Sequence, residues 1–303
     1  MINPVSRGRD TDYTRLSELA ETLDVLTFAY YYSGNTRYSD KGLEHLRAWF
    51  VNPETRVNPN INYGQGAPGL TDGRPAGIIE WKRISSVVTA LQIFDKGGAL
   101  PVEIKAGTRA WMERYLDWLT TSPLGKEADA LPQNHSSWYD YQVVGLMIHL
   151  GRLDEAKVRV EKAKTSRIAA QITPDGRQPR ETGRTKSLHY STMNLWALTN
   201  LTFMGRRLGA DLWEFETPDG RSLRQAYQFL APYASGEREW TYQQITPGGA
   251  QAVIESDLKP LFSKASTLLK RDLVEVPVDG SLQLSPLDAL KYPPLERLTT
   301  FKP

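Results

Sequence analysis

The stretch LSELAETLDVLTFAYYYSGNTRYSDKGLEHLRAWF, Leu16 to Phe50, decides how this chain is built. Leu19, Leu23 and Leu26 fall three or four residues apart, and Leu43, Leu46 and Phe50 resume that spacing after the segment SGNTRYSD. One face of a helix recurs at this interval, whereas a half-buried strand would alternate every second residue. The small and polar residues between the two runs break the pattern. The spacing therefore predicts two helices folded back as a hairpin, with SGNTRYSD as the break.

The same period returns outward along the chain in Ile78 to Phe94, Val102 to Leu119, Val143 to Leu150, Ala156 to Ile172 and Leu188 to Leu208, and more weakly in Leu223 to Tyr233 and Ala250 to Leu269. Only LVEVPV, Leu273 to Val278, alternates like a strand, so at most one small sheet is expected. Successive antiparallel helices joined by short turns imply an all-α fold, with helix pairs stacked into an arc or incomplete (α/α) toroid. A single domain over 1–303 is expected, ending in an irregular Pro-rich tail from about residue 271. Two connections are long and rich in Asn, Gly and Pro: Asn52 to Gly77 and Thr173 to Thr185. In a compact helical fold such loops tend to carry function.

Composition narrows the chemistry. With 37 basic and 35 acidic residues the net charge is only +2, which argues against a general nucleic-acid binder but leaves room for a local basic cleft. Having no cysteine, the chain forms no disulfide and no thiolate nucleophile or metal site. No apolar run reaches the length of a membrane span, and MINPVSRGRD lacks the apolar core of a secretory signal. Walker, dinucleotide, HExxH, EF-hand and GxSxG patterns are all missing.

Two of the four histidines stand in polar, aromatic clusters: NHSSWYDYQ (Asn134 to Gln142) and GRTKSLHYSTMN (Gly183 to Asn194). Ser136 or Ser137 would cap a helix continuing through Val143, Val144 and Met147, placing Asn134 and His135 at an N-terminal end that attracts carboxylates. The plainer reading is that His135 closes the cap and packs on Trp138. In the second cluster Ser187, Tyr190 and Asn194 share a polar stripe, with His189 adjacent and Arg184 one to two turns upstream. A guanidinium beside a phenol favours the phenolate. The first long loop supplies Asn58, Asn60, Tyr63, Gln65 and Arg74, an inventory suited to sugar hydroxyls and a carboxylate, or else to satisfying its own turns. The eight tryptophans fit sugar stacking or, for most, core filling. Asp140, Asp175 and Glu181 could instead supply the carboxylate pair of a glycosidase.

Taken together, NHSSWYDYQ, TPDGRQPRETGRTKSLHYSTMNLWAL, NPNINYGQGAPGLTDGRPAGIIE and WLTTSPLGKE resemble the alginate-lyase superfamily of polysaccharide lyases, nearest to polysaccharide lyase family 38, which acts on β-1,4-linked uronans. The resemblance runs from about Asn3 to about Ile245. It implies an incomplete (α/α) toroid whose central groove takes an anionic polysaccharide, and a periplasmic or secreted location. By the same resemblance Asn134 and His135 neutralise the substrate carboxylate, Arg184 assists, and Tyr190 abstracts and donates protons. Further substrate contacts are expected from the five loop residues and from Trp138, Tyr139, Gln142, His189 and Asn194. Gln133 stands where the family commonly has a second asparagine, Arg180 stands where an apolar residue is commoner, and the spacing from Arg184 to Tyr190 is one residue shorter than in the better-known alginate lyases.

The chemistry implied is β-elimination: the proton leaves C5 of a uronate and the C4–O bond breaks. In β-D-mannuronate and β-D-glucuronate that proton and the C4 oxygen share a ring face, so Tyr190 alone would serve both, giving syn elimination without a metal or organic cofactor. Guluronate would demand a second group, His135 or His189. A hydrolase on a similar toroid, or a uronan-binding protein without turnover, are the competing expectations, and oligomeric state is not fixed by the sequence.

Overall fold

The computed structural model describes residue 8 and residues 11–269, with side chains to residue 266. The LVEVPV run and the Pro-rich tail lie outside the described residues. Among the described residues every regular element is helical, and the only β pairings are isolated bridges.

Helices α1 (Asp12–Ser33) and α2 (Thr36–Leu46) are the two arms expected from the opening stretch. Their break is shorter than SGNTRYSD suggests. Gly34 takes the left-handed region at φ 65° and donates its N–H to the Tyr30 carbonyl, ending α1. Asn35 then caps α2, its side chain accepting from the Arg37 N–H at 3.1 Å, so Thr36 to Asp40 already belong to the second arm. A π-helical turn over Arg47–Val51 follows.

The apolar run from Ile78 to Phe94 is divided. Pro75 opens a 3-10 helix over Pro75–Trp81, and α3 (Ile84–Lys96) begins after it. Beyond lie α4 (Val102–Thr121), α5 (Pro123–Ala130), α6 (Asn134–His149), α7 (Leu153–Ala163) with a π-helical turn over Lys164–Ala169, and the single turn α8 (Pro179–Thr182). The long α9 (Ser187–Arg207), then α10 (Leu223–Ala234), α11 (Gly249–Val253) and α12 (Lys259–Leu269), complete the order.

Among the described residues the backbone groups into two compact units: residues up to 128 with 145–151, and residues 129–144 with 152–269. In the first, α1 packs on α2 and α3, burying Leu19, Leu23 and Tyr30 with Leu46, Leu91 and Phe94. Gly42 lets α2 come this close, because a Cβ there would meet the Phe94 ring at 2.7 Å. Trp81 and Trp111 stack with ring centroids 5.3 Å apart, and Phe50 meets Trp111 edge-on. The Trp111 Nε1 donates to the Val57 carbonyl (2.7 Å) and the Trp118 Nε1 to Asn62 Oδ1 (2.9 Å), tying the long loop to α4. These tryptophans fill core and anchor a loop, the indole N–H groups of Trp111 and Trp118 each finding a partner.

In the second unit α9 is the axis. Its Leu188, Leu195, Leu198 and Leu201 are buried, and α7, α8, α10, α11 and α12 all pack against it. The residues of α6 in this unit are buried on every side, Asn134 through Val144, which is why the amphipathic period is weak there. Beneath α6 lies an ionic cluster. Arg159 Nε donates to Asp140 Oδ1 (2.6 Å), Arg167 Nε donates to Asp140 Oδ2 (2.8 Å), and both guanidiniums also hold Asp129. Burial works against the Asp129 charge, but the two arginines outweigh it and hold its carboxyl far below the usual range.

Candidate active site

The two polar clusters singled out in the sequence both fall in the second unit and meet there. Asn134 opens α6, and its N–H donates to Glu181 Oε1 at 2.6 Å. Its side-chain Nδ2 lies 2.9 Å from each oxygen of the same carboxylate. Glu181 comes from α8, a single turn started by Pro179 and closed at Gly183. The N-terminal end of α6 thus holds a carboxylate, as the helix dipole favours, but the carboxylate is the protein's own.

This corrects the expected cap. Ser136 Oγ donates to the Gln133 carbonyl and Ser137 Oγ to Gln171 Oε1, so neither serine caps the helix. Glu181 is only 1% exposed, and burial pushes its carboxyl above the ordinary range against the opposing pull of Asn134 and Arg184.

Arg184 and Tyr190 are brought together. The guanidinium carbon stands 3.3 Å from the centroid of the Tyr190 ring, and Arg184 Nη1 lies 3.5 Å from Glu181 Oε2. That distance allows charge attraction without a good hydrogen bond. His135 is buried beside this group. Burial first, and the Arg184 charge second, push its pKa down to about 4, so its imidazole is neutral near neutral pH. Three buried polar atoms of adjacent side chains have no protein hydrogen-bond partner: Asn134 Oδ1, His135 Nδ1 and Arg184 Nη1. Buried polar atoms are nearly always paired, so these three are exceptions within the second unit.

His189 lies half-exposed next to Tyr190, the ring centroids 5.5 Å apart and edge-on, with its Nδ1 2.8 Å from Asp257 Oδ2. The partner Asp257, from the π-helical turn Ile254–Leu258, was not legible in the sequence.

Other expected contacts serve the frame beneath the site. Asn194 is fully buried, its Nδ2 donating to Gln171 Oε1 (2.9 Å) and Gln178 Oε1 (2.8 Å). Tyr139 is buried under the Arg159 guanidinium at 5.0 Å, and Gln142 is buried with its Nε2 turned back to the Trp138 carbonyl. All three are as deeply buried as Asn134. Trp138 is 8% exposed and packs edge-on against Tyr141.

The loop residues belong to the first unit. There Asn58, Asn60, Tyr63 and Gln65, together with Tyr13, Glu80 and Trp81, line a pocket of about 420 Å³. Arg74 is not among its lining residues. Asn60 Oδ1 accepts from the Asn62 N–H, and Gln65, held at φ 52°, donates to the Ala76 carbonyl, so both spend part of their polarity on the loop itself. Asn58 and Tyr63 are exposed.

The carboxylates considered for a hydrolase are each engaged by other groups of the protein. Asp140 is locked between Arg159 and Arg167, Asp175 caps an exposed turn by accepting from Thr173 and Arg177, and Glu181 holds Asn134.

In the second unit, then, an arginine stacked on a tyrosine lies beside a buried histidine and an asparagine, and among the described residues every regular element is helical. The chain belongs to the alginate lyase family, whose model matches residues 1–240. A crystal structure of an alginate lyase from Bacteroides ovatus matches with a TM-score of 0.84 at 29% identity, over 93% of this chain and 75% of that one. Alginate lyase A1-III, as a histidine-to-alanine variant complexed with tetrasaccharide, matches with a TM-score of 0.57 at 18% identity, over 86% and 72%. It shares the fold. No curated protein sequence matches. The fold class is thereby the (α/α) toroid expected from the helical pattern.

Proposed function

We propose that this polysaccharide lyase, which acts on alginate-like polymers, cleaves β-1,4-linked mannuronate or glucuronate by syn β-elimination at the Tyr190 site. The observation that carries the reading is the Arg184 guanidinium lying on the Tyr190 ring beside a buried, neutral His135.

Abstraction of the C5 proton moves electron density into the adjoining carboxylate, and a group that holds this carboxylate stabilises the transition state. Arg184 supplies the positive charge and an unpartnered N–H, and His135 supplies a neutral ring that needs no desolvated charge of its own. One well-placed donor to a developing oxyanion contributes about 3 to 4 kcal/mol. The Tyr190 oxygen takes the C5 proton, the electron pair forms the C4=C5 bond, the C4–O bond breaks, and the same phenol returns a proton to the leaving oxygen.

A single phenol reaches both atoms only when they share a ring face. The account therefore expects faster formation of the conjugated uronate, followed by ultraviolet absorbance, on polymannuronate and glucuronan than on polyguluronate. Equal or faster turnover of polyguluronate would refute the single-tyrosine syn reading, and binding without absorbance on any of the three would replace it with a uronan-binding role.

A further inference from the structure

We propose that Glu181 is a positioning residue of this site, and that its protonation sets which end of the Asn134 amide is turned toward the substrate carboxylate. The inference rests on the lyase reading for the identity of the ligand, a polyuronate, and on the geometry for the rest.

Glu181 takes three N–H contacts from Asn134, one from the backbone and two from the amide, and stands 3.5 Å from Arg184. An ionised carboxylate accepts hydrogen bonds and donates none. In this arrangement the Asn134 amide nitrogen is turned to Glu181, one of its hydrogens shared between the two carboxylate oxygens, and Asn134 Oδ1 is left buried without a protein partner. An oxygen so placed repels an arriving uronate carboxylate. The Arg184 charge is likewise shared with Glu181 rather than reserved for the substrate.

A proton on Glu181 reverses each of these effects. The carboxylic acid donates its O–H to Asn134 Oδ1 once the amide turns through half a revolution, and the two Nδ2 hydrogens then face the ligand. Arg184 is released to pair with the uronate. The backbone N–H of Asn134 still donates to the second carboxyl oxygen, so the turn of chain is held throughout. The proton comes from solvent, and no other bond is made or broken.

The charged and titratable groups facing Glu181 favour such an exchange. Arg184, from the residues just after α8, is the cation that acts on it most strongly among the described residues, and burial opposes its ionised form. Tyr190 of α9 stacks on that guanidinium, and His135 of α6 is neutral near neutral pH. An incoming carboxylate competes for Arg184 and so raises the proton affinity of Glu181 further.

The test is calorimetric titration of the full chain with a mannuronate oligosaccharide between pH 5 and 8, in the Tyr190→Phe background so that nothing is consumed. The wild-type Glu181 protein should take up a proton on binding, seen as a buffer-dependent enthalpy, and its Kd should weaken toward tenfold per pH unit at the upper end of the range. Glu181→Gln, a neutral isostere whose amide can donate to Asn134 Oδ1, should bind with a Kd that is flat across the range and no weaker than that of the parent. Parallel pH dependences in the two proteins, or no proton uptake by the parent, would overturn the proposal. If Glu181→Gln does not fold, the proton uptake of the parent alone decides it. Failure of the lyase reading is read separately, as an unaltered Tyr190 protein that binds the oligosaccharide with no rise in absorbance.

Discussion

Replacing Tyr190 with phenylalanine removes one oxygen and little else. The ring stays under the Arg184 guanidinium, 3.3 Å from its carbon, so the stacking that places both side chains is retained. No described residue hydrogen-bonds to the Tyr190 hydroxyl, so no buried partner is orphaned by its loss. Stability should therefore change by less than about 0.5 kcal/mol, within the range of a surface substitution. Turnover should fall far more. A positioned proton-transfer group is worth roughly 10²–10⁴-fold, which is about 3 to 5 kcal/mol of transition-state stabilisation. The assay is initial-rate absorbance on polymannuronate with the melting midpoint measured alongside. Tyr190→Phe should lose kcat with KM nearly unchanged, because ground-state binding of the carboxylate rests on His135 and Arg184. A variant that keeps more than a tenth of the wild-type kcat would remove Tyr190 from the proton transfer and refute the reasoning.

Further outcomes follow from the same geometry. His135 has its folded-state pKa depressed to about 4 from an ordinary 6.5, so its contribution is complete above pH 6.5 and is lost as pH falls toward 4, at a cost of roughly 3 kcal/mol. His149, likewise pushed down to about 4 by burial and by Arg109, acts in the same direction, so the melting midpoint should drop steeply below pH 6; a flat profile to pH 4 would contradict this. Asp140→Ala leaves Arg159 and Arg167 short of a buried partner and should destabilise the fold by about 3 to 5 kcal/mol in a denaturant titration, with the oligosaccharide Kd of the folded fraction unchanged. Gly42→Ala drives a methyl into the Phe94 ring at 2.7 Å and should cost about 1 to 3 kcal/mol by the same titration; a neutral result would mean that α2 and α3 are not so tightly apposed.

The helices were legible because their apolar residues keep a period. Leu19, Leu23, Leu43 and Leu46 face the core just where three- and four-residue spacing puts them. Boundaries were harder. The helix break depends on one left-handed glycine and one asparagine cap, which a run of small polar residues blurs, and the 3-10 helix at Pro75–Trp81 carries the same residues that would continue α3. In the site, the meeting of Arg184 and Tyr190 followed from local spacing on one segment. The clamp between Glu181 and Asn134 did not, because 47 residues separate the partners and a short i,i+3 pairing of Glu181 with Arg184 is all that the sequence displays. The same holds for His189 with Asp257 across 68 residues. The partners of Asn194, Tyr139 and Gln142 were not legible for a related reason: polar side chains that build a buried amide and ionic frame look, in sequence, like those that meet a ligand.

The central claim is that a uronate carboxylate is received by His135, Arg184 and Asn134 while Tyr190 stands at C5. A crystal structure of the Tyr190→Phe variant with a mannuronate tetrasaccharide tests it most directly. The account predicts one uronate carboxylate within hydrogen-bonding distance of Arg184 Nη1 and of the His135 ring, with the edge of the ring at position 190 facing C5 and the bridging C4 oxygen of that sugar. A tetrasaccharide bound with no carboxylate at these atoms, or with C5 turned away from position 190, would contradict it.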